Sequence, residues 1–294
     1  MHPQPLFELF GRGVHLYGIC IAVGILACII LLFRFLTLNK VPSDVQDFIY
    51  FTAIFAIILG FLSAMLFQAL YDYIANPSAG FKITGSITAM GGIAGGAAAF
   101  IAIYFGIGYF IFKKKNNIHV KYFNELFRFA PIGITVAHGF GRIGCLFAGC
   151  CHGAYLGPDP VAGGLYMQGT VYSEALGEYV TKWGYYVPTQ LYEAIFLFVL
   201  AGVLTFFYFK KRFNCTMIVY LIAYGVWRFI IEFFRTDYRG GATGLSPSQW
   251  QSFIFIGIAV ALIIVYKIKK YPICLPPLDK SEDTDESLKS KNRA

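Results

Sequence analysis

Residues 138–153, HGFGRIGCLFAGCCHG, place an arginine, two histidines and three cysteines at the end of an apolar segment. The apolar residues that precede this stretch predict a membrane-spanning helix, so the fold is decided here. A charged side chain at membrane depth is costly to bury, and by default it indicates a functional site. Burial of Arg142 therefore requires a partner residue elsewhere in the sequence and suggests a ligand.

The composition indicates an integral membrane protein. The chain of 294 residues is 57% hydrophobic and 14% charged, with a mean hydropathy of +0.61, whereas soluble domains carry about 25% charged residues. Apolar runs of roughly 18 or more residues recur, and each is long enough to cross a bilayer as a helix. The runs are too long and uniform for barrel strands, which alternate over about ten residues. We therefore predict an all-α, polytopic membrane protein.

About seven transmembrane helices are predicted, near residues 14–36, 47–70, 86–112, 127–147, 188–209, 216–234 and 250–267. Basic residues concentrate in alternate connections, after the first, third, fifth and seventh spans. The positive-inside rule makes those connections cytoplasmic. The N-terminus is then outside and the C-terminus cytoplasmic, in agreement with an odd number of spans. The first span lacks the flanks of a signal peptide, so we expect it to be retained.

One integral membrane domain is predicted over residues 1–276, with a long outside loop at 154–187. Residues 277–294 are predicted to be a disordered cytoplasmic tail, because they are polar and lack aromatic residues. The net charge of +8 calls for no nucleic acid, since anionic lipid headgroups at the cytoplasmic face of the bilayer suffice.

A second charged group lies within residues 227–240, WRFIIEFFRTDYRG. Arg228, Glu232 and Arg235 are spaced i, i+4 and i+7, which predicts that they share one helical face. With Arg142 they give two net positive charges, and guanidinium groups bind phosphate oxygens in pairs. An anionic headgroup would fit such a site. Two structural alternatives remain open: an ion-pair ladder between helices, and an Arg142 side chain that extends to the surface.

Polar residues also occur at the starts of three other spans. Tyr17, in HLYG at 15–18, is either an interfacial belt residue or part of a site wall. Gln190 and Glu193, in PTQLYE at 188–193, share a face near the outside surface. In SPSQW at 246–250 the first serine predicts an N-cap and Trp250 a belt residue.

The cysteine cluster has an alternative interpretation as a metal site. Cys145, Cys150, Cys151 and His152 offer soft ligands that suit zinc or an iron–sulfur cluster. However, the spacing is C-x4-C-C-H, and adjacent cysteines seldom bind one tetrahedral ion easily. We therefore predict neither a metal nor a cofactor.

Residues 141–153, GRIGCLFAGCCHG, resemble the signature of the bacterial prolipoprotein diacylglyceryl transferases. HLYG, PTQLYE, WRFIIEFFRTD and LSPSQ occur in that family's order, over roughly residues 10–268. The resemblance implies seven membrane helices and an enzyme of the bacterial cytoplasmic membrane. Such an enzyme transfers the diacylglyceryl group of phosphatidylglycerol to the lipobox cysteine thiol of a prolipoprotein signal peptide, and glycerol phosphate is released.

The resemblance also implies roles for individual residues. Arg142 matches the motif arginine that holds the phospholipid phosphate, and Arg228 matches a sixth-helix arginine that is important for activity. Tyr17 matches the first-helix tyrosine, and Gly153 closes the signature.

The chain departs from the family pattern at several positions. The family commonly has Asn and Glu where this chain has Cys145 and Cys150, and many members carry a histidine where Met90 precedes Gly91-Gly92. A second-helix arginine of the family has no counterpart in residues 60–67, GFLSAMLF. These departures affect positions at which the family pattern supplies the catalytic base and some contacts to the lipid headgroup.

The reaction chemistry assigns tasks to the charged residues. A thiol must lose its proton before it attacks the glyceryl carbon, and the phosphate then leaves as an anion that cationic donors stabilise. Arg142 and Arg228 suit the second task. His138 is the leading candidate for the base, unless it is merely packed, with Glu232 and Glu193 after it. We expect substrate contacts from Arg142, Tyr17, Gly144, Cys145, Gly153, Gln190, Glu193 and Arg235.

Two other functions remain open from the sequence. One is a divergent family member that uses phosphatidylglycerol with a different acceptor. The other is a non-enzymatic anion-binding or lipid-binding membrane protein, such as a transporter whose arginine faces serve a conduction path. The partners expected for the transferase are phosphatidylglycerol, prolipoprotein signal peptides and the lipid bilayer.

Overall fold

Long helices form most of the structure. The structure is a computed structural model, and it describes residues 5–9, 12–83, 88–173, 178–235 and 245–274. The helices are α1 (Leu16–Leu38), α2 (Ser43–Ala75), α3 (Ala89–Ala102), α4 (Gly108–Phe112), α5 (Ile118–Ala148), α6 (Thr189–Lys211), α7 (Thr216–Glu232) and α8 (Pro247–Ile268). A π-helical turn, Ile103–Ile107, joins α3 to α4 without a break. Short 3-10 turns lie at Pro77–Ala79 and Lys113–Lys115.

Six helical segments within the described residues are long and apolar enough to cross a membrane. They correspond to six of the seven predicted spans. The remaining one, predicted at 216–234, is α7, which forms a helix of 17 residues. The predicted mostly helical, multi-pass architecture is thus confirmed, while the orientation of the termini stays a prediction. The predicted tail at 277–294 lies outside the described residues.

Short strands accompany the helices. Strands β1 (Phe7–Leu9) and β2 (Arg12–Val14) pair in antiparallel fashion just before α1. The predicted outside loop at 154–187 contains a three-stranded antiparallel sheet of β3 (Tyr155–Gly157), β4 (Leu165–Ser173) and β5 (Glu178–Tyr186), in the order β3-β5-β4. Met167 and Tyr186 of this sheet are fully buried and pack with Leu146 at the end of α5. The sheet therefore covers the residues that follow Arg142.

The chain divides into two compact units, one of residues 33–126 and one of residues 1–32 with 127–294. In the first, α2 and α3 approach closely because small residues face each other. A Cβ added to Gly60 would lie 3.1 Å from the carbonyl oxygen of Gly92, and the Ser63 hydroxyl donates to the carbonyl of Gly91 at 2.9 Å. Such small-residue contacts are typical of membrane helix pairs.

The second unit contains α5 from residue 127 onward, α6 to α8 and the first part of α1. Its helices pack through aromatic rings and small residues: Phe196 of α6 stacks on Trp227 of α7 at 4.3 Å, and Gly225 of α7 lies against the Ser252 backbone of α8. Ser246 forms the predicted N-cap of α8, and its side chain accepts a hydrogen bond from the Gln249 amide at 3.2 Å.

Large apolar side chains are exposed along the helices. Phe51, Phe55 and Ile58 of α2 are about half exposed or more, as are Val199 of α6 and Ile254 of α8. An exposed apolar surface of this kind is disfavoured in water but matches lipid chains. The described helices therefore have the surface of a membrane protein.

Candidate active site

Glu193 is the centre of a buried charge cluster. Helix α6 begins at Thr189, so Glu193 lies one turn inside it, and only 1% of the residue is exposed. Its carboxylate lies 3.0 Å from Nε of Arg142 and 3.6 Å from Nη1 of Arg228. The Tyr224 hydroxyl donates to the same carboxylate at 2.9 Å. Two helices, α5 and α7, thus deliver polar groups to one carboxylate on α6, which compensates for its burial.

Arg142 contacts Glu193 through Nε, which leaves its terminal guanidinium nitrogens for another ligand. The ion pair joins Nε to Oε2 of Glu193, and 12% of the Arg142 side chain is exposed. His138, one turn earlier on α5, lies 4.0 Å from Glu193 and packs edge-on against Tyr224. Arg142 therefore does not extend to the surface as an isolated cation, because it is held in the cluster by an ion pair.

Arg228 is held more completely than Arg142. It pairs with Glu232 on its own helix at 3.3 Å and donates to the Ser248 hydroxyl in the first turn of α8 at 2.5 Å. Only 3% of Arg228 is exposed. These contacts fix its guanidinium group between α6, α7 and α8.

The net charge of the cluster is lower than the sequence predicted. The ion pairs join Arg142, Arg228, Glu193 and Glu232, whose charges sum to zero, whereas the predicted set of Arg142, Arg228, Glu232 and Arg235 carried +2. The predicted shared face is also wrong for Arg235. Helix α7 ends at Glu232, and Arg235 instead forms a backbone bridge with Gly153.

The end of α5 folds back on itself and brings three thiols together. The amide of Cys150 donates to the carbonyl of Cys145 and that of Gly149 to Leu146, with Gly149 at a φ of 70°, which is the hydrogen-bond pattern of a Schellman motif. The sulfur atoms of Cys145, Cys150 and Cys151 all lie within 4.8 Å of one another. We name these three residues the thiol cluster.

Charge and hydrogen bonding distinguish the two thiols of the cluster that follow α5. Hydrogen bonds from the thiols of Cys145 and Cys150 lower the pKa of Cys151, and the positive charges of Arg235 and Arg142 act in the same direction. Hydrogen bonding to the other two thiols raises the pKa of Cys150, and burial adds to this effect. Cys151 is therefore the member of this pair that ionises more readily.

The loop that carries the thiol cluster is anchored to α6 and the sheet. The Thr189 hydroxyl donates to the carbonyl of Cys151 at 2.8 Å, and the Gln190 amide donates to that of Cys150 at 2.6 Å. His152 is 2% exposed, and its Nε2 accepts from the Thr170 amide at 3.0 Å. Its Nδ1 therefore carries the proton and donates to the Gly153 carbonyl at 2.9 Å. The first turn of α6 positions both this loop and Glu193.

Tyr17 and Gly144 complete the group of predicted site residues. A Cβ on Gly144 would lie 3.1 Å from the Tyr17 ring and 3.3 Å from Cβ of Cys20, so the glycine permits α1 to pack against α5. The Tyr17 hydroxyl is within electrostatic range of Arg142 and of the thiol cluster. The structure thus brings together the predicted residues from α1, α5, α6 and α7.

Gly149 offers a test of this local architecture. We expect Gly149→Ala to lower the free energy of unfolding by about 2 kcal/mol or more, because a left-handed alanine is strained and its Cβ would meet the Gln168 carbonyl oxygen. Gly163→Ala is the matched control, since Gly163 has a similar φ of 80° and open space around it, and we expect it to cost about 1 kcal/mol. Thermal unfolding in detergent measures both, and equal losses would show that the Gln168 contact is unimportant.

Two residues of the cluster were not predicted. Tyr224 is spaced four residues before Arg228 and eight before Glu232, so its helical face was a readable signal. Ser248 lies beside the predicted capping serine, but nothing local indicated that it contacts Arg228. Met90 lies in the first turn of α3, and its side chain is outside what the structure describes.

Comparisons with known proteins identify what this arrangement is similar to. A family model described as prolipoprotein diacylglyceryl transferase matches residues 4–265. The chain is 34% identical over 269 residues to the phosphatidylglycerol–prolipoprotein diacylglyceryl transferase of Clostridium tetani, covering 90% of this chain and 98% of that protein. It is 32% identical over 270 residues to phosphatidylglycerol–prolipoprotein diacylglyceryl transferase 2 of Clostridium perfringens, with coverage of 90% and 94%. A Staphylococcus aureus relative of the same activity is also 32% identical over 270 residues, with 90% of each chain covered.

Proposed function

The chain belongs to the prolipoprotein diacylglyceryl transferase family, and we infer from this premise that it is a membrane-embedded transferase acting on phosphatidylglycerol and prolipoproteins. We propose that the acceptor is the lipobox cysteine thiol of the signal peptide and that glycerol phosphate is released. The location is the bacterial cytoplasmic membrane, where both substrates are embedded. The observation that carries this proposal at the level of the site is the buried pair of arginines held by Glu193.

Arg142 is assigned to the phosphate of phosphatidylglycerol. Its Nε is used by Glu193, and its two terminal nitrogens form a planar fork that fits two phosphate oxygens. Glu193 therefore acts as a positioning residue that orients the guanidinium group. A water-poor surrounding strengthens the interaction as negative charge develops on the leaving phosphate.

Arg228 and Glu232 are also assigned to stabilisation of the leaving phosphate. Arg228 lies 3.6 Å from the same oxygen of Glu193 that Arg142 contacts, and it supplies a second positive charge near the leaving group. Glu232 and Ser248 hold it from two helices, so the charge is already in place when the substrate binds. Such a preorganised charge lowers the barrier because nothing has to reorient during the reaction.

The proposed reaction is a nucleophilic displacement at carbon. The thiol sulfur forms a bond to the glyceryl carbon that carries the phosphate, and the bond between that carbon and the phosphate oxygen breaks. The electron pair of the broken bond leaves with glycerol phosphate. His138 is our candidate to take the thiol proton, because it is 24% exposed at the edge of the cluster and close to Glu193.

The remaining predicted residues are proposed to line the substrate site. Tyr17 and Gly144 lie where α1 meets α5, and Cys145 is one turn beyond Arg142. Gly153 and Arg235 are joined by a backbone bridge, and Gln190 holds the loop that carries the thiol cluster. Together they place substrate contacts on the side of the cluster that faces the sheet β3-β5-β4.

A direct assay tests the proposal. Purified protein is mixed with phosphatidylglycerol labelled in its acyl chains and with a lipobox peptide, and the products are separated by mass. We expect a thioether-linked diacylglyceryl peptide and one glycerol phosphate per turnover, and no product from a peptide with serine in place of the lipobox cysteine. Lipid cleavage without peptide modification would contradict the assigned acceptor. Failure to cleave the lipid, where a relative works, would contradict the function.

A further inference from the structure

We propose that Cys145, Cys150 and Cys151 bind a zinc ion and that its fourth coordination position takes the acceptor thiol. The zinc site is a property of the thiol cluster itself, whereas the identity of the fourth ligand rests on the proposed function. Catalytic zinc sites commonly have three protein ligands and one open position for water or substrate.

The geometry of the cluster favours one ion. Tetrahedral zinc with bonds of about 2.3 Å to sulfur places its sulfur ligands about 3.8 Å apart, and here the three sulfur atoms lie within 4.8 Å of one another. Small side-chain rotations close this difference. The sequence argument against a shared ion was that cysteines 150 and 151 are adjacent, but the chain turns between them, which places both thiols beside that of Cys145.

The backbone of Cys151 supports a role for this turn. Its φ is 64°, a left-handed conformation that a residue with a side chain rarely adopts, and such conformations concentrate at functional sites. Because neighbouring side chains of an extended chain point to opposite faces, the left-handed turn is what allows the two adjacent thiols to converge.

The described residues around the thiol cluster leave the fourth coordination position of the zinc ion open. His152 cannot serve as the fourth ligand without losing both its hydrogen bonds to the backbone, and among the described residues no other histidine, cysteine or carboxylate joins the three thiols. Cys150 is exposed, so the cluster is accessible from outside the fold. An incoming soft ligand can therefore reach an ion held there.

The charges are compatible with a zinc–thiolate centre. Three thiolates and one Zn²⁺ carry a net charge of −1, and the cluster lies within electrostatic range of Arg142 and Arg235. Three thiolates without an ion would repel one another. The ion also removes a problem of the proposed chemistry, because a thiol that coordinates zinc is deprotonated outright.

The position suits activation of the acceptor. Cys145 follows Arg142 by three residues on α5, so their Cβ atoms are about 5–6 Å apart. An acceptor thiolate on the zinc would lie about one helical turn from the phosphate held by Arg142. Its proton passes to His138 when it binds, its sulfur attacks the glyceryl carbon, and the bond from that carbon to the phosphate oxygen breaks while the zinc remains Zn²⁺ throughout.

Metal analysis tests the site independently of activity. Purified protein is stripped with a chelator under reducing conditions, reloaded with zinc, dialysed and analysed for metal. We expect about one zinc per chain in the wild type and in Cys28→Ser, whose thiol lies elsewhere on α1, but little in Cys150→Ala or Cys151→Ser. Matching thermal stability of the variants in detergent establishes that they are folded. Wild-type protein without stoichiometric zinc would overturn the proposal.

Cobalt substitution tests the fourth ligand. Cobalt in the site gives sulfur-to-metal charge-transfer absorption and a visible band that is sensitive to its ligands. We expect a cysteine lipobox peptide to shift this band and the serine peptide to leave it unchanged. An unchanged band with both peptides would overturn the assignment of the acceptor thiol to the metal.

Activity separates this inference from the proposed function. We expect stripping to lower transfer about 10²-fold, the scale of a lost catalytic base, and zinc to restore it. Full activity in stripped protein would overturn the role of zinc in activating the acceptor and leave the transferase function intact. A zinc site that responds to the cysteine peptide without any thioether product would instead contradict the transferase function.

Discussion

Arg142→Ala is expected to lower kcat/KM for lipid transfer by about 10³-fold or more. The substitution removes a guanidinium group that meets Glu193 through Nε and whose terminal nitrogens are assigned to the phosphate. Its loss leaves the leaving phosphate without that charge-assisted contact, while Glu193 keeps Arg228 and Tyr224. The measurement is single-turnover release of glycerol phosphate from labelled phosphatidylglycerol.

Two further variants define what Arg142 contributes. Arg142→Lys keeps the positive charge but lacks the planar fork, so we expect an intermediate loss of about 10-fold or more. Arg34→Ala removes an exposed arginine of α1 and serves as the matched control with unchanged transfer. Wild-type rates in Arg142→Ala would contradict its assignment to the phosphate, and equal losses in the alanine and lysine variants would show that charge alone is insufficient.

Glu193→Gln is expected to destabilise the fold as well as to impair transfer. Glutamine has nearly the same shape and still accepts from Tyr224, but it leaves two buried arginines with only Glu232 to compensate them. Removal of one partner from a buried ion pair costs about 3–5 kcal/mol, which corresponds to a fall in Tm on the order of 10 °C for a chain of this size. Thermal unfolding in detergent measures the effect.

A double variant separates electrostatics from packing. Glu193→Gln combined with Arg228→Gln removes one charge of each sign, so we expect part of the lost stability to return while transfer stays low. Glu8→Gln, which alters an exposed carboxylate in β1, is the control with an unchanged Tm. If the double variant is less stable than Glu193→Gln alone, the carboxylate is not acting mainly through the charge of the arginines.

The positions of the helices could be predicted because each depends on a local property, the length of an apolar run. The spans predicted at 188–209 and 250–267 became α6 and α8 with ends shifted by one to three residues. The capping serine of α8 was also predictable, since its hydrogen bonds are made within one turn. The long connection at 154–187 was predicted by position, but its strands were not, because pairing of β3 with β5 depends on residues far apart in the sequence.

The residues of the candidate site were easier to predict than the contacts among them. Arg142 was singled out by the cost of placing a charge at membrane depth, Arg228 by its helical spacing from Glu232, and Glu193 as a polar residue at the start of a span. That Glu193 lies between the two arginines depends on how three helices pack, and no spacing within one helix encodes this. Arg235 was misplaced for a related reason, since a helical periodicity does not reveal where the helix ends.

The buried charge cluster has a consequence for biosynthesis. Arg142 is translated 51 residues ahead of Glu193 and 86 ahead of Arg228, so α5 reaches the insertion machinery as a segment with an uncompensated cation. It is also the candidate span with the lowest mean hydropathy. Partition of α5 into lipid is therefore less favourable when it is synthesised than after α6 has supplied Glu193. Neutralisation of its charge is a late event in biogenesis that couples the insertion of one helix to the arrival of the next.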